Sequence, residues 1–468
     1  MGKEFHPHLK GWGLHSLEKI KIMENILEIK GAYNKDCKIF TTDIEESALS
    51  LVYSILNTKE YADVPIRIMP DVHTGVGIVI GFSAPITNAL NPSFVGVDIG
   101  CSITTYITNI PINKDDFPII EHRIKKEIPM GMEINKTRQF EMKTFYKFMK
   151  SEFNKAQRSW PDMINDFDIS EDGMQDFVDK FHMDYGKFCK SIGSVGGGNH
   201  FIEVGEYNGC YAFTVHCGSR NLGQRVCKYW ENIASSAQVD NKIFKEKLHQ
   251  LKNTVEDKTK LPKLIEELKE DLKSKMTSNG YLVGENLKGY LTDMVIAQAY
   301  AKFNHQIISE KITSIFKKIY PKLKIVEVIQ SIHNYVDMED HIIRKGAIRA
   351  YEGEKMVVPF NMRDGLAICV GKSNPDWNYS CSHGAGRKLS RGKAKSQISL
   401  DDFKKSMEGI YSTTISYNTI DESPMAYKDS DTILDLIQDT CEVLYVVKPL
   451  INIKADESIC SWLDPNNN

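Results

Sequence analysis

The chain has no CxxC pair, and its ten cysteines fall at irregular spacings. Its start, MGKEFHPHLK, carries no apolar signal-peptide core, so a secreted disulfide framework is not expected. Reduced thiols, one or more of them available to a metal, are the alternative. No apolar run approaches the roughly 20 residues needed to cross a bilayer. Charge of one sign is missing too: 59 Lys and Arg oppose 62 Asp and Glu, a net of −3. A global attraction for nucleic acid is thereby excluded, and an RNA partner has to be met by a local cleft. There is no internal repeat and no low-complexity linker. The absences together describe a soluble, cytoplasmic-type protein without membrane association.

What is present is ordinary in bulk, with 41% apolar and 26% charged residues in 468 positions. The length suits about two or three average domains or one large one. Leu17–Ile29 has an amphipathic pattern that suggests one helix in a peripheral N-terminal segment, residues 1–36. Glu45–Leu56 reads as a helix. Ile66–Met69, Gly75–Phe82, Phe94–Val97, Ser102–Tyr106 and Tyr211–His216 read as strands. Lys136–Ala156 is a charged helix, and Thr292–Ile312 a better-buried one. Lys242–Met276 carries opposite charges at helical spacing and is interrupted by Pro262, which predicts a two-helix arm inserted over residues 237–280. Chemistry-bearing motifs are scattered from about residue 70 to residue 454. That scatter predicts one large α+β domain over 37–468, with mixed and antiparallel sheets flanked by helices around a central metal cleft.

The stretch Asn378–Arg391, NYSCSHGAGRKLSR, is the most informative. Small residues Gly384, Ala385 and Gly386 after His383 allow backbone N–H groups to approach a phosphate, and Arg387 can grip the same group. Such surroundings suit an imidazole that attacks phosphorus; a Gly-rich turn that merely contains a histidine is the competing reading. Four further segments end apolar runs with candidate ligands: VGVDIGCS (Asp98, Cys101), SVGGGNHFIEV (Asn199, His200, Glu203), FTVHCGSRNLG (His216, Arg220) and VIQSIHNYV (His333, Asn334). A thiolate with imidazoles and a carboxylate accommodates zinc, manganese, iron or cobalt, and the donors suffice for two ions if the thiolate bridges. Two-metal sites suit phosphoryl chemistry.

Taken in order, MPDVHTGVG (69–77), VGVDIGCS, GGGNHFIEV, VHCGSRNLG, HNY, IRKGAIRAYEG (343–353), SHGAGR and INIK (451–454) resemble the RtcB family of RNA ligases. The resemblance covers nearly everything from about residue 37 to residue 456. It implies a ligase that uses GTP and two manganese ions to join RNA ends carrying a 2′,3′-cyclic phosphate or 3′-phosphate to 5′-hydroxyl ends. Carried over by position, Cys101 bridges the two ions, with His216 and His333 completing one site and Asp98 and His200 the other. His383 is the nucleophile that takes GMP. Asn199, Glu203, Asn334, Lys454 and the Pro359, Asn361 and Met362 segment contact the guanylate, with Gly384, Ala385, Gly386 and Arg387 at its phosphate and Tyr427 beside the base. Asp71 matches an acid near the metals. The family allows an archease-type activator, and a monomer is expected.

The sequence departs from the family at the Pro-Gly-Ser-Met segment, which here reads Pro359, Phe360, Asn361, Met362 and continues into Arg363 and Asp364. Cys217 stands where threonine is usual and is expected to be a small packed residue. Two other function classes compete with the ligase: a metal-dependent RNA cyclic phosphodiesterase or phosphatase without ligation, and an idle RNA-binding protein. His383, Lys454 and Asn199 argue against the first, because hydrolysis has no need of them. A complete ligand set argues against the second, because unpaired buried ligands are costly.

Overall fold

In the computed structural model the described residues are 20–456, apart from 24, 112 and most of 238–279. The two-helix arm expected over residues 237–280 lies almost wholly outside them. Eighteen strands are present: β1 (Ile20–Met23), β2 (Ile26–Ile29), β3 (Cys37–Ile39), β4 (Ile66–His73), β5 (Ile80–Pro85), β6 (Ala89–Leu90), β7 (Ser102–Thr108), β8 (Phe201–Tyr207), β9 (Cys210–Cys217), β10 (Leu282–Val283), β11 (Ile325–Ile332), β12 (Asn334–Val336), β13 (Ile342–Lys345), β14 (Ala347–Arg349), β15 (Lys355–Asn361), β16 (Gly365–Gly371), β17 (Ser380–Ser382) and β18 (Cys441–Ile453). They form two seven-stranded sheets, β1-β2-β3-β4-β5-β13-β12 and β11-β7-β9-β8-β18-β16-β15, with two small pairs, β10-β6 and β14-β17. All pairings are antiparallel except β3 with β4. The result is the α+β architecture that the scatter of motifs suggests.

The second sheet curls on itself, since Val357 N on its last strand donates to Ser331 Oγ on its first at 2.8 Å. Its central strands β7 and β9 are buried along almost their whole length. That follows from their sequences, SITTYIT and CYAFTVHC, which lack a charged face. The helix Gly284–Ile319 covers this sheet and joins two cores. Its first part, Leu287 to Ile307, packs with Phe145, Met149, Phe188 and Trp230; its last turns, Ile308 to Phe316, pack on Tyr211, Phe213 and Ile120. Among the described residues no helix is long and apolar enough to cross a membrane.

Three local expectations are corrected. The pattern over 17–29 is not one helix: Ile20–Met23 and Ile26–Ile29 form an antiparallel hairpin. Alternation wins over helical period there, because Leu27 and Ile29 are buried with Glu28 between them, and β3 supplies the partner edge. Phe94–Val97 is no strand but a 3-10 turn, Pro92–Phe94, and its continuation; Asn91 caps it by accepting from Ser93 N, and Pro92 fits the first turn. The Gly75–Phe82 run becomes a strand only at Ile80, since Gly77, at φ +76°, sits in a loop. Elsewhere among the described residues the readings match with shifted ends, as Met142–Ser159 does for the charged helix.

The first sheet is pinned to β17 by Arg344, whose side chain is fully buried. Its guanidinium donates to Asp340 at 2.7 Å, to Asp337 at 3.3 Å and to Ser380 Oγ at 2.9 Å. Removing one partner of a buried charge network leaves the others uncompensated. Arg344→Ala should therefore destabilise the fold by roughly 3–5 kcal/mol in urea unfolding. A change below about 1 kcal/mol would show that the network is not structural.

Candidate metal and nucleotide site

Strand register builds the site. In β11-β7-β9-β8 the pairs Ile332–Ser102, Ser102–Cys217 and His216–Phe201 lie side by side. His333 follows the last residue of β11, Cys101 precedes the first of β7, His216 is next to last on β9, and His200 precedes β8. Neighbouring strands are about 4.8 Å apart, so four donors distant in sequence meet at one sheet edge. The backbone ties the loops together beyond the ladder, with His333 N donating to Cys101 O at 3.1 Å and Gly100 N to Asn334 O at 2.8 Å.

The donors form two triads that share a sulfur, Cys101–His216–His333 and Asp98–Cys101–His200, with ligand atoms in each within 4.8 Å of one another. Cys101 Sγ lies 3.2 Å from His216 Nε2 and 3.4 Å from His200 Nε2, which in turn is 2.9 Å from Asp98 Oδ2. His216 Nδ1 faces the Asn199 carbonyl at 3.1 Å, which directs Nε2 inward. Burial, then the neighbouring imidazoles, hold His216 and His333 well below the usual histidine range, so both are neutral with a lone pair free. Burial opposes ionisation of Asp98, but the hydrogen bond and charge of His200, with hydrogen bonds from Cys101 and Ser219 N, together outweigh it and keep this carboxyl low. Burial and the Asp98 charge push the Cys101 thiol well up, so an incoming cation must displace its proton. Buried Nδ1 atoms of His200 and His333 have no hydrogen-bond partner. Sulfur, imidazole and carboxylate donors, close together and otherwise underused, fit divalent transition metals.

His383 comes directly after β17, its ring 5.1 Å from that of His333. Its Nδ1 donates to Asp71 Oδ2 at 2.6 Å, and Asp71, on β4, is fully buried. That bond fixes the tautomer and leaves Nε2 as the nitrogen with the lone pair. Gly386, at φ +74°, lets the chain pass against β4: a Cβ there would meet the Asp71 carbonyl at 2.2 Å. At least one glycine of the HGAG run is therefore required by the Asp71 approach.

A cavity of about 630 Å³ opens beside these groups. Asn199, Glu203, Asn334, Pro359, Asn361, Met362, the 383–387 run, Tyr427 and Lys454 all line it. Lys454 Nζ donates to the Asn199 carbonyl at 3.3 Å. Glu203 accepts from Asn452 Nδ2 at 2.8 Å, while its Oε1 is buried without a partner. Burial pushes its carboxyl up to about 8, against the pull of Asn452 and Lys454. Asn334 braces the metal loop, donating to Asp98 O at 3.2 Å and accepting from Gly346 N at 3.1 Å. The two departures from the family pattern look inward. Asn361 accepts from Arg363 N and Asp364 N and donates to Asp364 Oδ2, so its amide is committed to its own turn. Cys217 is buried against Ser194 O and Asn304 Nδ2 and belongs to neither triad. Arg220 ties α-helix Arg220–Ala237 to another loop by donating to Gly131 O at 2.8 Å.

Sequence reasoning missed the acidic pair Asp421–Glu422 and Arg391. Arg391 donates to both carboxylates at 2.6 Å. The signal available was the DE that opens DESPMAYKD, five residues before Tyr427.

Comparison with known proteins agrees with the geometry. The family described as tRNA-splicing ligase RtcB matches residues 57–455. RNA-splicing ligase RtcB of Escherichia coli K12 is 28% identical over 83% of this chain and 90% of its own length. The tRNA-splicing ligase RtcB of Nanoarchaeum equitans is 26% identical over 88% and 94%, and the RtcB homolog 1 of Entamoeba histolytica 24% over 83% and 80%. The chain belongs to the RtcB family.

Two outcomes follow. A Cβ at position 218 would sit 2.1 Å from Asp98 Oδ1. Gly218→Ala should therefore lose about half the metal retained after dialysis, and Cys101→Ser most of it; elemental analysis reading unchanged stoichiometry in both would dissolve the shared-sulfur site. For Glu203, the folded-state value lies above the ordinary one. The fold then binds the proton more tightly than the unfolded chain, so stability is full below pH ~4.5 and is lost as pH rises toward ~8. Glu203→Gln should flatten that part of the Tm-versus-pH curve; identical curves would mean Glu203 ionises normally.

Proposed function

We propose that this RtcB-family chain is an RNA ligase that uses GTP and two manganese ions to join 2′,3′-cyclic phosphate or 3′-phosphate ends to 5′-hydroxyl ends. The observation that carries this reading is the Asp71–His383 pair standing beside a two-triad donor cluster. A metal-dependent hydrolase can work without an oriented, non-ligating imidazole, whereas guanylylation on histidine requires one. Cys101, His216 and His333 would hold one ion and Asp98, Cys101 and His200 the other; the ions supply charge neutralisation at phosphate oxygens.

The rest is done by the chain's own groups. Asp71 keeps the proton on His383 Nδ1, so Nε2 attacks the α-phosphorus of GTP, a P–N bond forms, and pyrophosphate leaves. The Arg387 guanidinium holds the phosphates of bound GTP, and backbone N–H groups of the HGAG run stabilise the charge that builds on the phosphoryl oxygens. An oxygen of the RNA 3′-phosphate then attacks the same phosphorus, the P–N bond breaks, and the guanylate passes to RNA; a cyclic end must first be opened by water. Finally the 5′-hydroxyl attacks the activated 3′-phosphorus, the new phosphodiester forms, and GMP departs. Glu203, with its unpartnered buried oxygen, is suited to accept from the guanine N–H edge.

His383→Ala should abolish covalent labelling by GTP carrying a radioactive α-phosphate while its bound metal stays near the wild-type level. Full labelling in the variant would place the nucleophile elsewhere. RNA cyclic-phosphate opening without any label on the wild-type protein would favour the phosphodiesterase reading.

A further inference from the structure

Glu422 is outside the metal cluster and does not touch His383, yet its carboxylate meets four groups of the cavity. Its side chain is 3% exposed. Oε1 accepts from Arg391 Nη1 at 2.6 Å and Arg387 Nη1 at 3.3 Å. Oε2 accepts from the Tyr427 hydroxyl at 2.7 Å and from Lys454 Nζ at 3.0 Å. Asp421 extends the arrangement: its carbonyl accepts from Arg387 Nη2 and its carboxylate from Arg391 Nη1, each at 2.6 Å. The Arg387 guanidinium lies over the Tyr427 ring, 5.2 Å from its centroid.

Four cations face the two carboxylates in a largely buried place, Lys395 Nζ joining the others at 3.6 Å from Asp421 Oδ1, which leaves a surplus positive charge for an incoming phosphate. Burial alone would raise the Glu422 carboxyl; Lys454, Arg391 and Arg387 overcome it and hold this group well below the usual range, so it stays ionised at any working pH. A buried charge cluster is seldom the cheapest way to stabilise a fold, whereas it does fix geometry. Without Glu422, Arg387, Arg391 and Lys454 would repel one another and Tyr427 would lose its hydroxyl acceptor.

We infer that Glu422 is a positioning residue whose single carboxylate ties the two ends of the nucleotide pocket together, setting Arg387 and Arg391 for the phosphates and Lys454 and Tyr427 for the base. The inference rests on the reading of the cavity as a GTP site. Because Glu422 acts through other side chains and not on the reacting atoms, it governs how GTP is held more than how fast His383 reacts. Glu422→Gln keeps the shape but turns an N–H toward at least one N–H or O–H donor.

The experiment is single-turnover formation of the covalent adduct against concentration of GTP labelled at the α-phosphate, on the full chain with manganese. E422Q should raise the half-saturating GTP concentration by about tenfold or more while lowering the maximal rate by less than about threefold. E422D, which restores the charge, should recover part of the shift. An unchanged half-saturation, or a loss confined to the maximal rate, overturns the assignment. Should E422Q not fold, Tyr427→Phe removes one of the four contacts and should still shift half-saturation about two- to fivefold; an unshifted curve there overturns it equally. Label on wild type with identical curves in the variants rejects Glu422 alone. Absence of label on wild type rejects the GTP reading itself, and with it this inference.

Discussion

Everything at this site depends on one register. Antiparallel pairing of β11, β7, β9 and β8 brings the ends of four strands to a single sheet edge, so that His333, Cys101, His216 and His200 converge although they are spread over about half of the chain. A slip of one residue in any of these pairings would turn a ligand to the opposite face. The cores on the sheet's two faces, with Ile202, Val204, Phe213 and Val215 in one and Ile103, Ile107, Ala212 and Ile329 in the other, are what forbid the slip. Packing and metal chemistry are therefore one constraint here: apolar residues of the central strands choose the register, and the register makes the ligand geometry.

The second layer of organisation is a division of labour among histidines. His200 and His216 approach the Cys101 sulfur, and His333 shares a triad with it, whereas His383 is drawn toward Asp71. The rings of His333 and His383 are only 5.1 Å apart, so partners, more than position, distinguish the two imidazoles. A carboxylate on Nδ1 keeps one imidazole oriented; a shared sulfur gathers the others into a donor cluster that suits a metal. The acidic pair Asp421–Glu422 does for the cations of the cleft what Asp71 does for His383.

Much of this was legible in the sequence because the motifs are local. A histidine or Asp-x-x-Cys at the end of an apolar run, beside glycine, marks a strand end carrying a side chain into a cleft, and Asp98, Cys101, His200, His216 and His333 all show that mark. What a linear reading misses is pairing across long separations. Asp71 and His383 are 312 residues apart, and nothing near either one announces the other. Glu422 was hidden for the same reason, since its partners stand at 387, 391, 427 and 454. The misread hairpin at 20–29 fails differently: a short segment fits both periods, and only the edge of β3 decides between them. Asn361, expected from the resemblance to contact the guanylate, lines the cavity, and the turn to Asp364 that engages its amide was not legible in the sequence.

The central claim is that His383, oriented by Asp71 and close to but not part of the metal cluster, carries the guanylate. Tandem mass spectrometry of the full chain after incubation with GTP and manganese, under conditions that preserve acid-labile phosphoramidates, tests it most directly. The account predicts a single GMP adduct on the imidazole of His383. An adduct on Lys454 or on any histidine of the two triads, or no adduct while RNA ends are still joined, would contradict it.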